Sequence, residues 1–239
     1  MQNLENKVAI ITGGSKGIGY GIAESLMAQG MKVAITSRSQ ESADTAVAAL
    51  NKNEKGEAIG VEADVRSLES QKKVVQKVLD KWGKLDLMVA NAGIGHFATI
   101  EELTEEQWNE TIDTNLTGVF FSVKASLEAL KASKGYIITI SSLAGTNFFA
   151  GGSAYNASKF GLTGFSQAAM LDLRNYGIKV STIMPGSVAT YFNNHEPNDK
   201  DGWKIQKEDI GEMVVSLMQM NPRTLPSKIE VRPTTPPKA

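Results

Sequence analysis

The stretch Lys7-Val8-Ala9-Ile10-Ile11-Thr12-Gly13-Gly14-Ser15-Lys16-Gly17-Ile18-Gly19 decides the fold. It starts as an almost unbroken apolar run, the pattern of a strand buried on both faces of a parallel sheet. It then turns through glycines into a helix predicted from Ile18. A sharp strand-to-helix turn needs residues that tolerate positive φ. A backbone approaching a pyrophosphate has no room for a Cβ, and a helix N-terminus offers free N–H groups and a positive dipole end to phosphates. Gly13, Ser15, Lys16, Gly17, Ile18 and Gly19 are therefore candidate cofactor-binding residues, with Gly19 letting the helix pack closely on the sheet. The spacing is G-x-x-x-G-x-G rather than G-x-G-x-x-G, but it stands in the context that makes such a pattern a dinucleotide fingerprint.

Outward from this turn, short β-branched runs alternate with amphipathic stretches. The predicted strands are Lys7–Thr12, Lys32–Thr36, Glu57–Val61, Leu85–Ala90, Tyr136–Ser141, Lys179–Met184 and Lys228–Arg232. Between them lie predicted helices over Ile18–Gln29, Glu41–Asn53, Leu68–Trp82, Glu105–Lys131, Ala154–Tyr176 and Lys207–Met220. Seven strands separated by helices predict an α/β fold, a doubly wound parallel sheet with helices on both faces. No linker or repeat divides the chain, so residues 1–239 read as one domain. The tail Pro233-Thr234-Thr235-Pro236-Pro237 reads as an extended terminus.

Composition removes several function classes. The 25 Lys and Arg against 26 Asp and Glu leave a net charge of −1, which supplies no field for nucleic acid or an anionic membrane. The chain has no Cys and only two His, His96 and His195. That excludes disulfides and thiolate chemistry and leaves no ligand set for a His/Cys metal centre, so no metal is expected. The N-terminus Met1–Lys7 lacks the charged-then-apolar pattern of a signal peptide, and no window is long and apolar enough to span a membrane, so the expected compartment is the cytoplasm.

The second predicted strand runs into Thr36-Ser37-Arg38. In a dinucleotide fold an acidic residue here accepts hydrogen bonds from the adenosine ribose. This chain has Ser37 and Arg38 instead, with Lys16 in the glycine turn. Two cations and small hydroxyls suit a 2′-phosphate, so the expected cofactor is NADP(H). Asp64 and Val65, closing the third strand, would flank the adenine.

Tyr155 and Lys159 stand four apart on a predicted helix, which puts both on one face. Free tyrosine ionises near ~10, and a nearby ammonium favours the phenolate. Ser142 lies just after the fifth strand. Together with the glycine turn, these residues carry a resemblance. The chain resembles the short-chain dehydrogenases/reductases through Thr12–Gly19, Asp64-Val65, Asn91-Ala92-Gly93, Asn115, Ser142, Tyr155, Lys159 and Pro185-Gly186, all in order over nearly its whole length.

The resemblance implies a Rossmann domain and a set of roles. Tyr155 is the general acid that protonates a substrate carbonyl oxygen. Lys159 lowers the Tyr155 pKa and binds the nicotinamide ribose, and Ser142 orients the carbonyl. Asn115 holds a water beside Lys159. Asn91, Ala92 and Gly93 lie under the cofactor, while Pro185, Gly186, Val188 and Thr190 seat its carboxamide and phosphates. The implied reaction is NADPH-dependent reduction of a small-molecule ketone or aldehyde. The alternative substrate is a 3-oxoacyl thioester on an acyl carrier protein, for which Lys200, Lys204 and Lys207 are the nearest docking cations. A non-catalytic NADP-binding module is the third reading, opposed by the intact Asn115, Ser142, Tyr155 and Lys159.

The resemblance also implies a substrate lid over about 191–205, carrying Tyr191, Phe192 and Trp203, with His96, Phe97, Phe148 and Phe149 as further wall candidates. Core or subunit packing is the other role open to these aromatics. A homo-oligomer, tetramer or dimer, is expected through the helices Glu105–Lys131 and Ala154–Tyr176.

Overall fold

The computed structural model describes residues 2–52 and 55–236. Met1, Asn53 at the end of the second predicted helix, and Pro237 in the tail lie outside the described residues.

The alternating pattern folds as seven strands: β1 (Val8–Ile11), β2 (Lys32–Ser37), β3 (Glu57–Glu62), β4 (Leu87–Ala90), β5 (Tyr136–Ile140), β6 (Lys179–Pro185) and β7 (Lys228–Val231). They form one sheet in the order β3-β2-β1-β4-β5-β6-β7, and every pairing is parallel. The expected doubly wound parallel sheet is present. The order reverses between β1 and β4, where an open α/β sheet leaves a crevice at its carboxyl edge.

Period-two alternation assigns each residue of a strand to one face. Ala9 and Ile11 of β1 join one buried cluster, with residues of α1 (Gly17–Ala28), α2 (Gln40–Leu50) and α7 (Lys207–Gln219). Val8 and Ile10 join the other, with α3 (Leu68–Trp82), α5 (Gly118–Ser133) and α6 (Ser153–Leu173). Both clusters are apolar layers made mainly of Val, Ile, Leu, Met and Ala, so the sheet is a rigid platform for the side chains at its edge. Among the described residues no helix is long and apolar enough to cross a membrane.

One predicted helix is corrected. Glu105–Lys131 is not continuous. It is α4 (Glu105–Ile112), a wide π turn over Asp113–Thr117, and α5. The Gly118 N–H reaches back five residues to the Asp113 carbonyl. The π turn carries Asn115, whose side chain is wholly buried and clamps Ile94 after β4: Oδ1 accepts from the Ile94 N–H at 2.8 Å and Nδ2 donates to its carbonyl at 2.9 Å. A helical periodicity cannot reveal this one-residue insertion, because π turns of this kind follow long-range anchoring.

Candidate active site

The glycine turn is built as its sequence requires. Gly13 and Gly17 have φ of +63° and +59°. A Cβ at Gly19 would stand 2.5 Å from both the Gly13 carbonyl and Asn91 Nδ2. Asn91 stitches β4 to this turn, donating from Nδ2 to the carbonyls of Thr12 (2.9 Å) and Gly13 (3.0 Å). Lys16 is the N-cap of α1 and makes no side-chain cap, so first-turn N–H groups face the crevice.

The crevice is a cleft of about 2140 Å³ along the carboxyl edge of the sheet. It brings together Gly13, Ser15, Lys16, Gly17, Ile18, Ser37, Arg38, Asp64, Val65, Asn91, Ala92, Gly93, Ser142, Tyr155, Lys159, Pro185, Gly186, Val188 and Thr190. Gly19 and Asn115 are not on its wall: Gly19 packs behind the turn, and the Asn115 side chain divides its bonds between Ile94 and Ser158 Oγ (3.0 Å). Asn115 thus stands as a buried clamp on the segment after β4 that carries Gly93. A Cβ at Gly93 would stand 3.3 Å from Asn115 Oδ1 and 3.6 Å from Lys159 Nζ.

Charge is distributed unevenly along the cleft. Arg66, which the sequence reading did not single out, makes a bidentate pair with Asp64, with Nε at 3.0 Å from both oxygens and Nη2 at 2.7 Å from Oδ2. That pairing holds the Asp64 carboxyl below its ordinary pKa. Its sequence signal was a cation two residues after the acid. His96 Nε2 sits 2.8 Å from Glu110 Oε2. Lys204 Nζ and His195 Nε2 each lie 2.6 Å from buried Asp201, and both hold its carboxyl well below the usual range. Arg232 pairs with Glu230 at 2.9 Å. Arg38, by contrast, is 71% exposed and its Glu110 partner is 4.0 Å away. Lys16 has no ion pair among the described residues and lies 5.8 Å from the Tyr191 ring centroid. The two loosely engaged cations, Lys16 and Arg38, thus adjoin in sequence Ser15 and Ser37, whose hydroxyls are 3.4 Å apart.

At the other end, Lys159 is buried and donates from Nζ to the Ile140 carbonyl at 3.1 Å. Burial lowers its pKa to about 8. Its Nζ is 5.7 Å from the Tyr155 ring centroid. Burial raises the Tyr155 pKa, and a hydrogen bond with the Ser142 hydroxyl acts in the opposite direction. In the protein without cofactor the direction is thus opposite to the expected one, because desolvation of the phenol is the larger effect. Tyr155 holds its proton. Ser142 Oγ accepts from the Ala144 N–H (3.1 Å) and lies 3.4 Å from the Pro185 carbonyl, which fixes the hydroxyl between β5 and β6.

The segment expected as a lid, 191–205, is tied at its base by Ala189 N–H to the Ile205 carbonyl (2.9 Å) and Ile205 N–H to the Ser187 carbonyl (3.1 Å). The wall candidates separate. Tyr191 sits at the Lys16 end, Phe148 is 86% exposed at the rim, and His96 is tied to Glu110. The rings against Tyr155 are Phe97 and Phe192, at 5.4 and 5.7 Å between centroids.

A family model described as short chain dehydrogenase matches residues 7–201. Over 189 residues, 79% of this chain and 76% of the other, the sequence is 40% identical to the 3-oxoacyl-[acyl-carrier-protein] reductase of Escherichia coli (strain K12). Over 238 residues, 98% of this chain and all of the other, it is 32% identical to an uncharacterized oxidoreductase of Staphylococcus saprophyticus. The structure resembles that of an alcohol dehydrogenase from the archaeon Thermococcus sibiricus complexed with 5-hydroxy-NADP, with TM-score 0.91 and 30% identity over 98% of this chain and all of that one. A metagenomic short-chain oxidoreductase in complex with NADP gives TM-score 0.85 and 33% identity over the same shares. The glycine turn, the strand order and the Ser142–Tyr155–Lys159 edge thus agree with the matched sequence span, and the chain belongs to the short-chain dehydrogenase family.

Proposed function

We propose that this protein is an NADP(H)-dependent oxidoreductase that reduces the carbonyl of a small molecule to an alcohol. The observation that carries the reading is that Tyr155, Ser142 and Lys159 line one cleft together with Lys16 and Arg38. The glycine turn and α1 N-terminus fit a pyrophosphate, and the two loosely engaged cations fit a 2′-phosphate. Structural neighbours complexed with NADP support that choice.

The dinucleotide, when bound, supplies a hydride. The chain supplies the rest. Ser142 holds the carbonyl oxygen and stabilises the charge that develops on it. Tyr155 donates its phenolic proton to that oxygen, and Lys159, still largely cationic at neutral pH, stabilises the phenolate left behind. Asn115 acts here as the clamp that positions the Gly93 backbone beside Lys159.

A second reading is reduction of a 3-oxoacyl group on an acyl carrier protein, favoured by the 40% identity to a reductase of that name. Two of its three docking cations are weakened here: Lys204 pairs with Asp201, and Lys207 pairs with Glu24 and Glu208, while Lys200 has no ion pair among the described residues. Assembly into a homo-oligomer through α5 and α6 is supported by the half-exposed Phe120, Phe160 and Leu171 on them. A single domain working in the cytoplasm completes the reading.

The test follows NADPH oxidation across a panel of ketones, aldehydes and acyl thioesters. Tyr155→Phe, which deletes the acid, should lower kcat by at least about a hundredfold while NADPH affinity is kept. Near-full turnover in that variant would overturn the assignment, and saturable NADPH binding without oxidation of any carbonyl would favour the binding module.

A further inference from the structure

The substrate half of the cleft is walled by rings that are neither core nor isolated. Phe97, Phe149 and Phe192 are 42%, 48% and 38% exposed, yet Phe97 contacts both other rings, and Phe97 and Phe192 contact Tyr155. Phe97 makes an edge contact with Tyr155 at 5.4 Å and with Phe192 at 6.3 Å, and it meets Phe149 at 5.8 Å. All these separations fall in the range where aromatic rings attract beyond simple burial. All three rings sit on bare backbone. A Cβ at Gly95 would stand 2.6 Å from Phe192 Cζ and 2.9 Å from Phe97 Cζ, and one at Gly152 would stand 2.6 Å from Phe149 Cε2. The rings are placed by glycines on two loops bridged at Ala98 and Gly152.

Among the described residues of that half, His96, His195, Lys204 and Arg232 are each paired with a carboxylate, and Lys159 is buried with its ammonium on the Ile140 carbonyl, so no exposed, unpaired cation there offers an anionic substrate a clamp.

We infer that the substrate is a neutral aryl carbonyl compound, with the flat ring next to the C=O, and that Phe97, Phe149 and Phe192 select it. This rests on the proposed carbonyl reduction. A flat ring whose carbonyl oxygen reaches Tyr155 and Ser142 lies among the three phenylalanines and can meet their edges and faces. A saturated ring of the same skeleton is thicker and has no quadrupole to match them. A 3-oxoacyl chain has neither property.

The experiment compares acetophenone with cyclohexyl methyl ketone, by kcat/KM with NADPH. In parallel, calorimetry measures binding of 1-phenylethanol and 1-cyclohexylethanol to the protein–NADP⁺ complex. Two edge-to-face contacts predict a preference for the phenyl compounds of about tenfold in both measurements. Phe97→Leu and Phe192→Leu keep apolar bulk and should reduce that preference to within about threefold. Gly95→Ala should do the same by displacing both ring tips, a cheap shift because they are the far ends of side chains. A wild-type ratio near one, or a ratio unchanged in all three variants, overturns the inference while leaving carbonyl reduction standing. Phenyl-selective binding that the variants abolish, without turnover of either ketone, upholds the ring site and overturns the reductase reading instead.

Discussion

Replacing Lys159 with methionine should abolish turnover and yet stabilise the cofactor-free protein. The ammonium is buried, with one hydrogen bond, to the Ile140 carbonyl at 3.1 Å. Burial brings its pKa from 10.5 down to about 8, and at about 1.36 kcal/mol per pH unit this costs the folded state about 3 kcal/mol at pH 7. The bond to Ile140, lost in the variant, offsets about 1–2 kcal/mol. Methionine fills similar volume without charge, so the net gain is about 1–2 kcal/mol, or about 2–8 °C in Tm for a chain of this size.

The sign of the pH dependence follows from the depressed pKa. Between about pH 8 and 10.5 the unfolded chain keeps this proton and the folded protein has shed it. Wild-type stability therefore rises with pH through that window. The variant lacks the group, so its advantage at pH 7 should shrink, vanish between about pH 9 and 10, and reverse above that, where only the lost Ile140 bond remains. Denaturant unfolding of both proteins at pH 7, 9 and 10, with identical buffers and no cofactor, reads this directly. A variant less stable than wild type at pH 7, by a margin that does not change with pH, would refute the picture of a desolvated cation held for function. Loss of kcat by at least about a hundredfold should accompany the stability gain.

Two further outcomes follow from the cofactor end. Arg38→Ala should lower kcat/KM for NADPH by about tenfold to a hundredfold, the value of a charge-assisted phosphate contact, and leave NADH kinetics unchanged; a preference for NADH in both proteins would end the 2′-phosphate argument. Gly19→Ala places a methyl 2.5 Å from the Gly13 carbonyl and Asn91 Nδ2. Rigid backbone on one side makes this costly, so thermal unfolding should show a loss of about 1–3 kcal/mol, and NADPH titration should show weaker binding; an unchanged Tm would refute the tight-packing role.

The strands, their parallel arrangement and the phosphate turn were legible in the chain itself. They depend on local properties: β-branched apolar runs, helical periodicity, and glycine where φ must be positive. The Tyr155–Lys159 spacing was legible for the same reason, since one helix turn sets it. What pattern could not supply came from contacts between distant positions. The π turn at Asn115 depends on Ile94, and the Tyr155 proton depends on how deeply the fold buries the phenol. Arg66 gains its meaning only beside Asp64 and Glu110. The aromatic wall joins Phe97, Phe149 and Phe192 from three loops. Sequence alone determined where this protein can hold a dinucleotide and present a tyrosine, because both follow from backbone geometry within one element or turn. Only the tertiary structure decided which cations stay unpaired among the described residues and which rings gather beside Tyr155, because burial and pairing are properties of neighbours in space.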